Sequence, residues 1–292
     1  MKPRTTSRAD LHWNWPHLAL LASLIPFAWL SGVAGLAPSM MLTLGTVLTL
    51  AWLMLAERRW PARVSWTPGA GELQRDGTFL VLNAVADAAG ALVLTWLAIR
   101  LATVATPGMA AHWTPWVAVP AAVVLGELGP YVLHRWAHSG GWVWLVHSVH
   151  HAPQRVNASN NLTTHPINVS WNQFARTVPW LLFGFDAQVI AWAALFIQVQ
   201  SFAVHANVAG TIGPLNRWIG SAELHRWHHS VVPGEALNFG TALPLWDRVF
   251  GSYKAPSVSG PARVGVTGQP ARADWRLWRR MLLAPLCRRC PV

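Results

Sequence analysis

Four long runs of apolar residues dominate the chain, and short polar stretches separate them. The runs cover residues 18–37, 40–56, 79–102 and 113–133. Each approaches or exceeds the roughly 20 residues that a helix needs to cross the hydrocarbon layer of a membrane. We therefore predict four transmembrane helices arranged as two antiparallel hairpins.

A fifth apolar run, 178–200, is interrupted by Gly184, Phe185 and Asp186. We predict that it forms a re-entrant or bent pair of short helices, which enters the membrane and returns to the same side. Irregular backbone at that depth is tolerated only where protein or a cavity satisfies it. The predicted fold class is an all-α integral membrane bundle.

Composition and charge agree with this interpretation. The chain is 53% hydrophobic and 11% charged, against about 25% charged for an ordinary soluble domain. Its formal net charge of +11 comes from basic residues that flank the apolar runs, so we expect it to reflect membrane topology and not binding to nucleic acid. The positive-inside rule then places the N-terminus, the 57–77 loop and the region after residue 133 in the cytoplasm, and we expect a bacterial inner membrane protein.

Three histidine motifs follow the predicted spans: HRWAH at 134–138, HSVHH at 147–151 and HRWHH at 225–229. Residues three and four apart share one face of a helix, so each motif is predicted to present its imidazoles together, as half of a metal site. Eight imidazoles exceed the ligand number of one tetrahedral or octahedral ion, which favours two metal ions. Imidazole binds zinc, copper, iron and nickel, so the ligand type does not select the metal.

Two functions without catalysis remain open at this point. A divalent-metal transporter would also carry histidines, but spread through the interiors of several spans. A structural zinc-binding membrane protein is the other alternative, because zinc readily occupies histidine sites.

Residues 127–253 carry a family resemblance in four ordered segments: ELGPYVLHRWAH, WLVHSVHH, QSFAVHANVAGTIGPLNRWIGSAELHRWHHS and NFGTALPLWDRVFGSY. In these segments the chain resembles the fatty acid hydroxylase and sterol desaturase superfamily of membrane-bound di-iron enzymes. The resemblance implies a cytoplasmic helical cap that holds nine metal ligands: His134, His138, His147, His150, His151, His205, His225, His228 and His229. It also implies two iron ions, with zinc able to occupy the same sites, and an O₂-dependent hydroxylation or desaturation of a fatty acyl lipid, a sterol or another isoprenoid.

Further residues are expected to support the ligands. Glu127 stands two helical turns before His134, where the family commonly has aspartate. We predict that it contributes to catalysis by orienting a ligating imidazole, the alternative being a carboxylate that is simply paired with a polar neighbour. Asp87 and Asn83, one turn apart, are predicted to hydrogen-bond between helices, the alternative being that they line a substrate path. Four residues beside the motifs are candidates to orient the ligands through hydrogen bonds: His165, Asn207, Asn238 and Asp247.

The division of the chain and its partners complete the prediction. Residues 1–112 are expected to form N-terminal membrane helices, 113–254 the catalytic region and 255–292 a basic cytoplasmic tail. Cys287 and Cys290 in this tail are interpreted as reduced thiols, the alternative being a lipidation site. No cysteine array or glycine-rich dinucleotide motif is present, so electrons are expected from an external ferredoxin or related reductase. The lipid substrate is expected to enter from the bilayer.

Overall fold

A computed structural model describes residues 12–102, 108–256, 260–266 and 282–283. The basic residues before position 9 and the two cysteines of the tail lie outside these ranges. The described residues form nine α-helices and no strand: α1 (Trp15–Val33), α2 (Pro38–Arg59), α3 (Ala70–Ala102), α4 (Pro115–Ala137), α5 (Gly141–His151), α6 (Pro166–Phe183), α7 (Ala187–His205), α8 (Ala222–His228) and α9 (Leu245–Val249).

The all-α prediction is confirmed, and the four apolar runs correspond to α1 to α4. Five helices of the described chain are long and apolar enough to cross a membrane: α1 to α4, together with α7. Proline at an early position starts α1, α2 and α4, where its missing N–H has no intrahelical partner to lose.

The interrupted fifth run forms the predicted bent pair, with helices α6 and α7 of 18 and 19 residues, longer than expected. Gly184 ends α6 in the left-handed conformation (φ 69°), and Asp186 caps α7 by accepting a hydrogen bond from the Gln188 N–H at 2.7 Å. A side chain at Gly184 would lie 2.5 Å from the backbone of Gly108, so the turn also requires a glycine for close approach. The Ala110 N–H donates to the Phe183 carbonyl and ties this turn to the segment that leads into α4.

The helices pack with α6 between α3 and α4, and with α7 between α2 and α4. Small residues on α4 allow the close contact with α6: Gly126 faces the ring of Trp180, and a Cβ at Gly129 would lie 2.5 Å from the Ala175 carbonyl oxygen. The Trp180 indole donates to the Ala122 carbonyl at 2.6 Å. As a result, α6 is held in a fixed rotation, with one face towards the interior of the bundle.

One end of the bundle gathers the polar segments. The strand-like contact of Trp13 with Thr211 brings the start of α1 to this end, and Asn207 bonds the Ala62 and Arg63 backbone just beyond α2. The C-terminal ends of α4 and α7 lie here as well, because both carry histidines of the centre described next. The opposite end carries the α6–α7 turn.

Candidate metal centre

Nine imidazoles meet at the polar end of the bundle and form two groups. Within each group, one ring nitrogen per residue lies within 4.8 Å of the others. The first group consists of His134, His138, His147, His151 and His228. The second group consists of His150, His205, His225 and His229.

The two HxxHH motifs divide their residues between the groups, which corrects the prediction that all three histidines of such a motif face the same way. At about 100° per residue, helical positions i and i+4 differ in direction by about 40°, whereas i+3 and i+4 differ by about 100°. On α5, His147 and His151 therefore join the first group and His150 joins the second. In the third motif, His225 and His229 join the second group and His228 joins the first.

The two groups adjoin one another. The rings of His151 and His229 are stacked with centroids 4.4 Å apart, although the two residues belong to different groups. His205, at the last position of α7, completes the second group. Two cations bound in the two groups would thus be neighbours.

Local structure explains how the motifs reach these positions. Gly140 and Gly141 take positive φ angles of 99° and 70° and turn the chain sharply between α4 and α5, a conformation that other residues rarely adopt. Ser221 caps α8 by accepting a hydrogen bond from the Leu224 N–H at 3.3 Å, so the helix begins just before the third motif.

The ring nitrogens fit a bound metal. Nε2 of His134, His138 and His228 is buried and has no hydrogen-bond partner among the described residues. Three other pairs of Nε2 atoms face each other at 3.1 Å: His147 with His151, His150 with His205, and His225 with His229. Three buried nitrogens without a partner, beside six that face only one another, are costly unless a cation binds them.

Burial also keeps the rings in the neutral form that binds metals. It lowers the pKa of His147 to about 4. Burial and, secondarily, the nearby His147 lower the pKa of His138 to about 2. The pKa values of the other imidazoles on α5 and of those in the third motif are likewise lowered well below the usual value, chiefly by burial.

Hydrogen bonds on the opposite ring nitrogen orient five of the imidazoles. Nδ1 of His147 contacts Asn168 Oδ1 at 2.7 Å, and Nδ1 of His205 contacts Asn160 Oδ1 at 3.1 Å. An Nδ1–H that donates outward leaves the Nε2 lone pair directed inward. The remaining contacts of this kind join His150 to the Thr164 hydroxyl, His134 to the Phe239 carbonyl and His228 to the Leu237 carbonyl.

Sequence reasoning did not identify Asn160, Thr164 or Asn168 in this role. They belong to a polar stretch, 157–168, which follows the second motif and runs into the first turn of α6, and which holds four asparagines and three threonine or serine residues. That density of short polar side chains beside a histidine motif was the available signal.

The loop 237–242 supplies two of the carbonyls, and Asp247 holds it in place. The Asp247 carboxylate is fully buried and accepts hydrogen bonds from the N–H groups of Phe239 and Gly240 and from the Ser252 hydroxyl, each at 2.7 Å. Asn238, with a φ of 61°, exchanges two hydrogen bonds with the Lys254 backbone. Asp247 and Asn238 thus act on the loop and reach the imidazoles only through its carbonyls.

Glu127 does not orient an imidazole, contrary to the prediction. The Glu127 carboxylate accepts a hydrogen bond from the Ala242 N–H at 2.7 Å and forms an ion pair with Arg176 at 3.4 Å. His134, which shares a helical face with Glu127, has its Nδ1 2.7 Å from the Phe239 carbonyl oxygen. Glu127 therefore anchors the same loop from the membrane side.

The other two candidates also act on the backbone. His165 lies outside both groups: it caps α6 by accepting a hydrogen bond from the Ile167 N–H at 3.1 Å, and its Nε2 contacts the Leu282 carbonyl. Asn207 exchanges hydrogen bonds with the Arg63 backbone, and its N–H donates to the Glu57 carboxylate at 2.8 Å. It thereby fixes the chain just after His205.

A cavity of about 560 Å³ extends from the centre into the bundle between α2, α3, α4, α6 and α7. It reaches His134, His147, His150, His205 and His225 at one end and Asp87, Glu127 and Arg176 further along. Asn83 lines it too, while its side-chain amide donates to the Leu162 carbonyl at 3.0 Å. Asn83 therefore hydrogen-bonds from α3 to the turn before α6, and it also lines the cavity.

Comparisons with known proteins agree with this geometry. Residues 119–252, which include all nine imidazoles, match the family described as fatty acid hydroxylase. An ornithine lipid hydroxylase of Rhizobium tropici is 29% identical over 77% of this chain and 70% of its own length. Human alkylglycerol monooxygenase is 29% identical over 44% of this chain, which covers 29% of that protein, and a probable Delta(7)-sterol 5(6)-desaturase of Neurospora crassa is 27% identical over 50% of this chain and 40% of its own length. No solved structure matches the chain.

Proposed function

Because the chain belongs to the fatty acid hydroxylase and sterol desaturase superfamily, we propose that its nine-histidine centre binds two iron ions and oxidises a C–H bond of a membrane lipid. O₂ would be the oxidant, and electrons would come from an external donor. The observation that carries this proposal is the division of nine imidazoles, seven of them buried, into two adjoining groups, with the Nε2 atoms of three of them buried and unpartnered.

The protein residues would bind and orient, while the metal supplies the redox chemistry. A bound iron pair would activate O₂, which side chains cannot do. We assign the role of metal ligand to all nine histidines, five in the first group and four in the second. Asn168, Asn160 and the carbonyls of the 237–242 loop hold the rings so that Nε2 faces inward.

The cavity supports a lipid as the substrate, because it opens from the imidazoles into the part of the bundle formed by the candidate spans. Similarity to an ornithine lipid hydroxylase, over most of both chains, supports a polar membrane lipid as one candidate. Both hydroxylation and desaturation begin with loss of a hydrogen from carbon, so the same centre serves either outcome.

The two alternatives fit the arrangement less well. A transport path requires ligands along the spans, whereas the nine imidazoles gather at one end of the described bundle. A structural zinc site is tetrahedral and closed, but one group here offers five imidazoles and both groups border a cavity.

The orientation of the centre and the electron donor belong to the proposal as well. Basic residues such as Arg58, Arg59 and Arg63 lie beside the polar end of the bundle. The positive-inside rule supports a cytoplasmic location for that end, in a bacterial inner membrane. A basic face there favours an acidic ferredoxin or reductase as the partner, with its approach steered by charge.

Metal analysis combined with lipid profiling tests the proposal. Protein purified without oxygen is expected to contain two irons per chain, and cells that express it are expected to contain an oxidised lipid. His150→Ala should remove that lipid and reduce the metal content. His112→Ala is the matched control, because His112 is exposed near the opposite end of the bundle and outside both groups. Full metal content with identical lipid profiles for all three proteins would contradict an oxygenase and favour a structural metal.

A further inference from the structure

Two imidazoles of the second group are oriented by one short stretch of chain. Asn160 Oδ1 contacts His205 Nδ1 at 3.1 Å, and the Thr164 hydroxyl contacts His150 Nδ1 at 3.2 Å. The Asn160 amide nitrogen already donates to a backbone carbonyl at 2.7 Å, so the oxygen is the atom that faces His205, and it can only accept. The His205 proton therefore lies on Nδ1, which leaves the Nε2 lone pair for a metal ion.

One carboxylate oxygen ties this stretch to the end of α7. Glu57 stands in the last turn of α2 and is 7% exposed. Its Oε1 accepts hydrogen bonds from the Ala158 N–H at 2.6 Å and from the Asn207 N–H at 2.8 Å. Ala158 precedes Asn160 by two residues, and Asn207 follows His205 by two. Glu57 thus holds both the ligand and the side chain that orients it, from a helix that contains no histidine.

A second carboxylate, on α3, holds the same stretch. Asp76 accepts hydrogen bonds from the Ser159 hydroxyl at 2.7 Å and from the Thr163 hydroxyl at 2.6 Å, and it pairs with Arg75 at 2.7 Å. All four residues are buried. The supports of the second group therefore come from α2 and α3, which lie outside the residues matched to the family.

The first group depends on different supports. The 237–242 loop supplies the carbonyls opposite His134 and His228, and Asp247 and Glu127 hold that loop. The carboxylates on α2 and α3 make the hydrogen bonds described above with other parts of the chain. Each group of imidazoles thus has its own pair of buried carboxylates.

We propose that Glu57 is a positioning residue for the second group, and that its loss weakens the ion bound there while the ion of the first group stays in place. This inference rests on the proposed function, because it requires two bound ions. Without the Glu57 carboxylate, two buried N–H groups lose their acceptor, and the segments that meet at the contact of Asn160 with His205 are no longer tied to one atom. Loss of such an orienting contact typically lowers metal affinity by about 10- to 100-fold.

Chelator titration of the iron-loaded protein tests this assignment. Protein purified without oxygen is dialysed against increasing concentrations of chelator, and the iron left per chain is measured. Glu57→Ala is expected to lose one ion at a chelator concentration about 10- to 100-fold below that of the wild type, and to release the other ion as the wild type does. Glu57→Gln keeps an acceptor oxygen for both N–H groups and should retain most of the wild-type behaviour. Asp186→Ala is the control, because it removes a carboxylate that accepts a backbone N–H at the far turn of the bundle, and it should leave both ions in place.

Two ligand variants show which ion is lost. His138→Ala empties the first group, so the addition of Glu57→Ala should remove the remaining ion. His205→Ala empties the second group, so the addition of Glu57→Ala should change the iron content little. A role of Glu57 in overall stability alone predicts the same loss of iron in both backgrounds.

Three results would overturn the positioning role: iron retention in Glu57→Ala that equals the wild type, loss of both ions in parallel, or a Glu57→Gln variant that behaves as Glu57→Ala. If Glu57→Ala does not fold, Glu57→Asp takes its place under the same criteria, because it keeps the charge and withdraws the oxygen by one methylene. A wild type with two irons and an oxidised lipid, in which Glu57→Ala keeps both ions, refutes the positioning role alone. A wild type with two irons and no oxidised lipid refutes the oxygenase alone, and a wild type that binds fewer than two ions refutes both.

Discussion

Asp247→Asn tests whether the 237–242 loop controls the metal centre from a distance. Asp247 contacts none of the nine imidazoles through its side chain, but its two oxygens accept hydrogen bonds from two backbone N–H groups and one hydroxyl, each at 2.7 Å. An amide in the same place keeps the shape and turns an NH₂ group towards at least one of these donors. The substitution thus leaves one or two buried donors unsatisfied.

The expected magnitude follows from those contacts. A hydrogen bond to a charged group contributes about 1.5–3 kcal/mol, so loss of one or two of them should destabilise the protein by about 2–5 kcal/mol. The Phe239 carbonyl would no longer be held against His134 Nδ1, where it now lies at 2.7 Å. Loss of such an orienting contact typically lowers metal affinity by about 10- to 100-fold.

Two measurements on one preparation check this expectation. Thermal unfolding in detergent should show a lower midpoint for Asp247→Asn, and a chelator should remove metal at a correspondingly lower concentration than from the wild type. Asp186→Asn is the control, because it removes a charge at the exposed turn between α6 and α7 and keeps a capping side chain. If Asp247→Asn unfolds at the wild-type temperature and releases metal at the wild-type chelator concentration, the loop does not position the ligands and the reasoning is wrong.

Two further predictions address the ligand groups and the packing. His205→Ala removes one of four ligands from the second group, and His138→Ala removes one of five from the first. Each substitution is expected to reduce the metal content from two ions per chain towards one. Elemental analysis that finds both variants fully loaded would contradict the ligand assignment. Gly129→Ala introduces a Cβ 2.5 Å from the Ala175 carbonyl oxygen and is expected to destabilise the protein by about 1–3 kcal/mol. Gly77→Ala, in open space on α3, should stabilise it by up to about 1 kcal/mol, and equal unfolding temperatures for the two variants would show that α4 and α6 do not pack closely.

The membrane helices were predictable because length and hydropathy alone identify them. The runs that became α1 to α4 contain few charges, and the break at 184–186 carried both a glycine for the left-handed turn and an aspartate for the next cap. The lengths of α6 and α7 were not predictable in the same way. Polar residues such as Asn168, Asn172 and Arg176 made α6 appear to begin later, and they are accommodated because they face the internal cavity.

The ligands could be recognised from the motifs, but their partners could not. Orientation of His134 and His228 depends on carbonyl oxygens of the 237–242 loop, and every residue has a carbonyl, so no residue type reveals such a contact. The assignment of Glu127 failed for a related reason. Helical spacing places Glu127 on the same face as His134. The 237–242 loop folds across that face, and its Ala242 N–H donates a hydrogen bond to the Glu127 carboxylate.

The division of the ligands into groups of five and four follows from the spacing of the histidines within each motif, once the helices are oriented. HxxHH sends positions i and i+4 to one group and position i+3 to the other, because i+3 and i+4 diverge by about 100°. The motifs on α5 and α8 face each other, so their roles are exchanged: His147 and His151 meet His228, and His225 and His229 meet His150. HRWAH lacks a histidine at its i+3 position, and both of its histidines belong to the first group.

The three motifs alone would give the second group only three imidazoles, and His205 supplies the fourth from a separate helix. A centre built in this way cannot lose the register of α5 or α8 without disturbing both groups at once, which explains why those two short helices are fixed by glycine turns, a serine cap and buried hydrogen bonds.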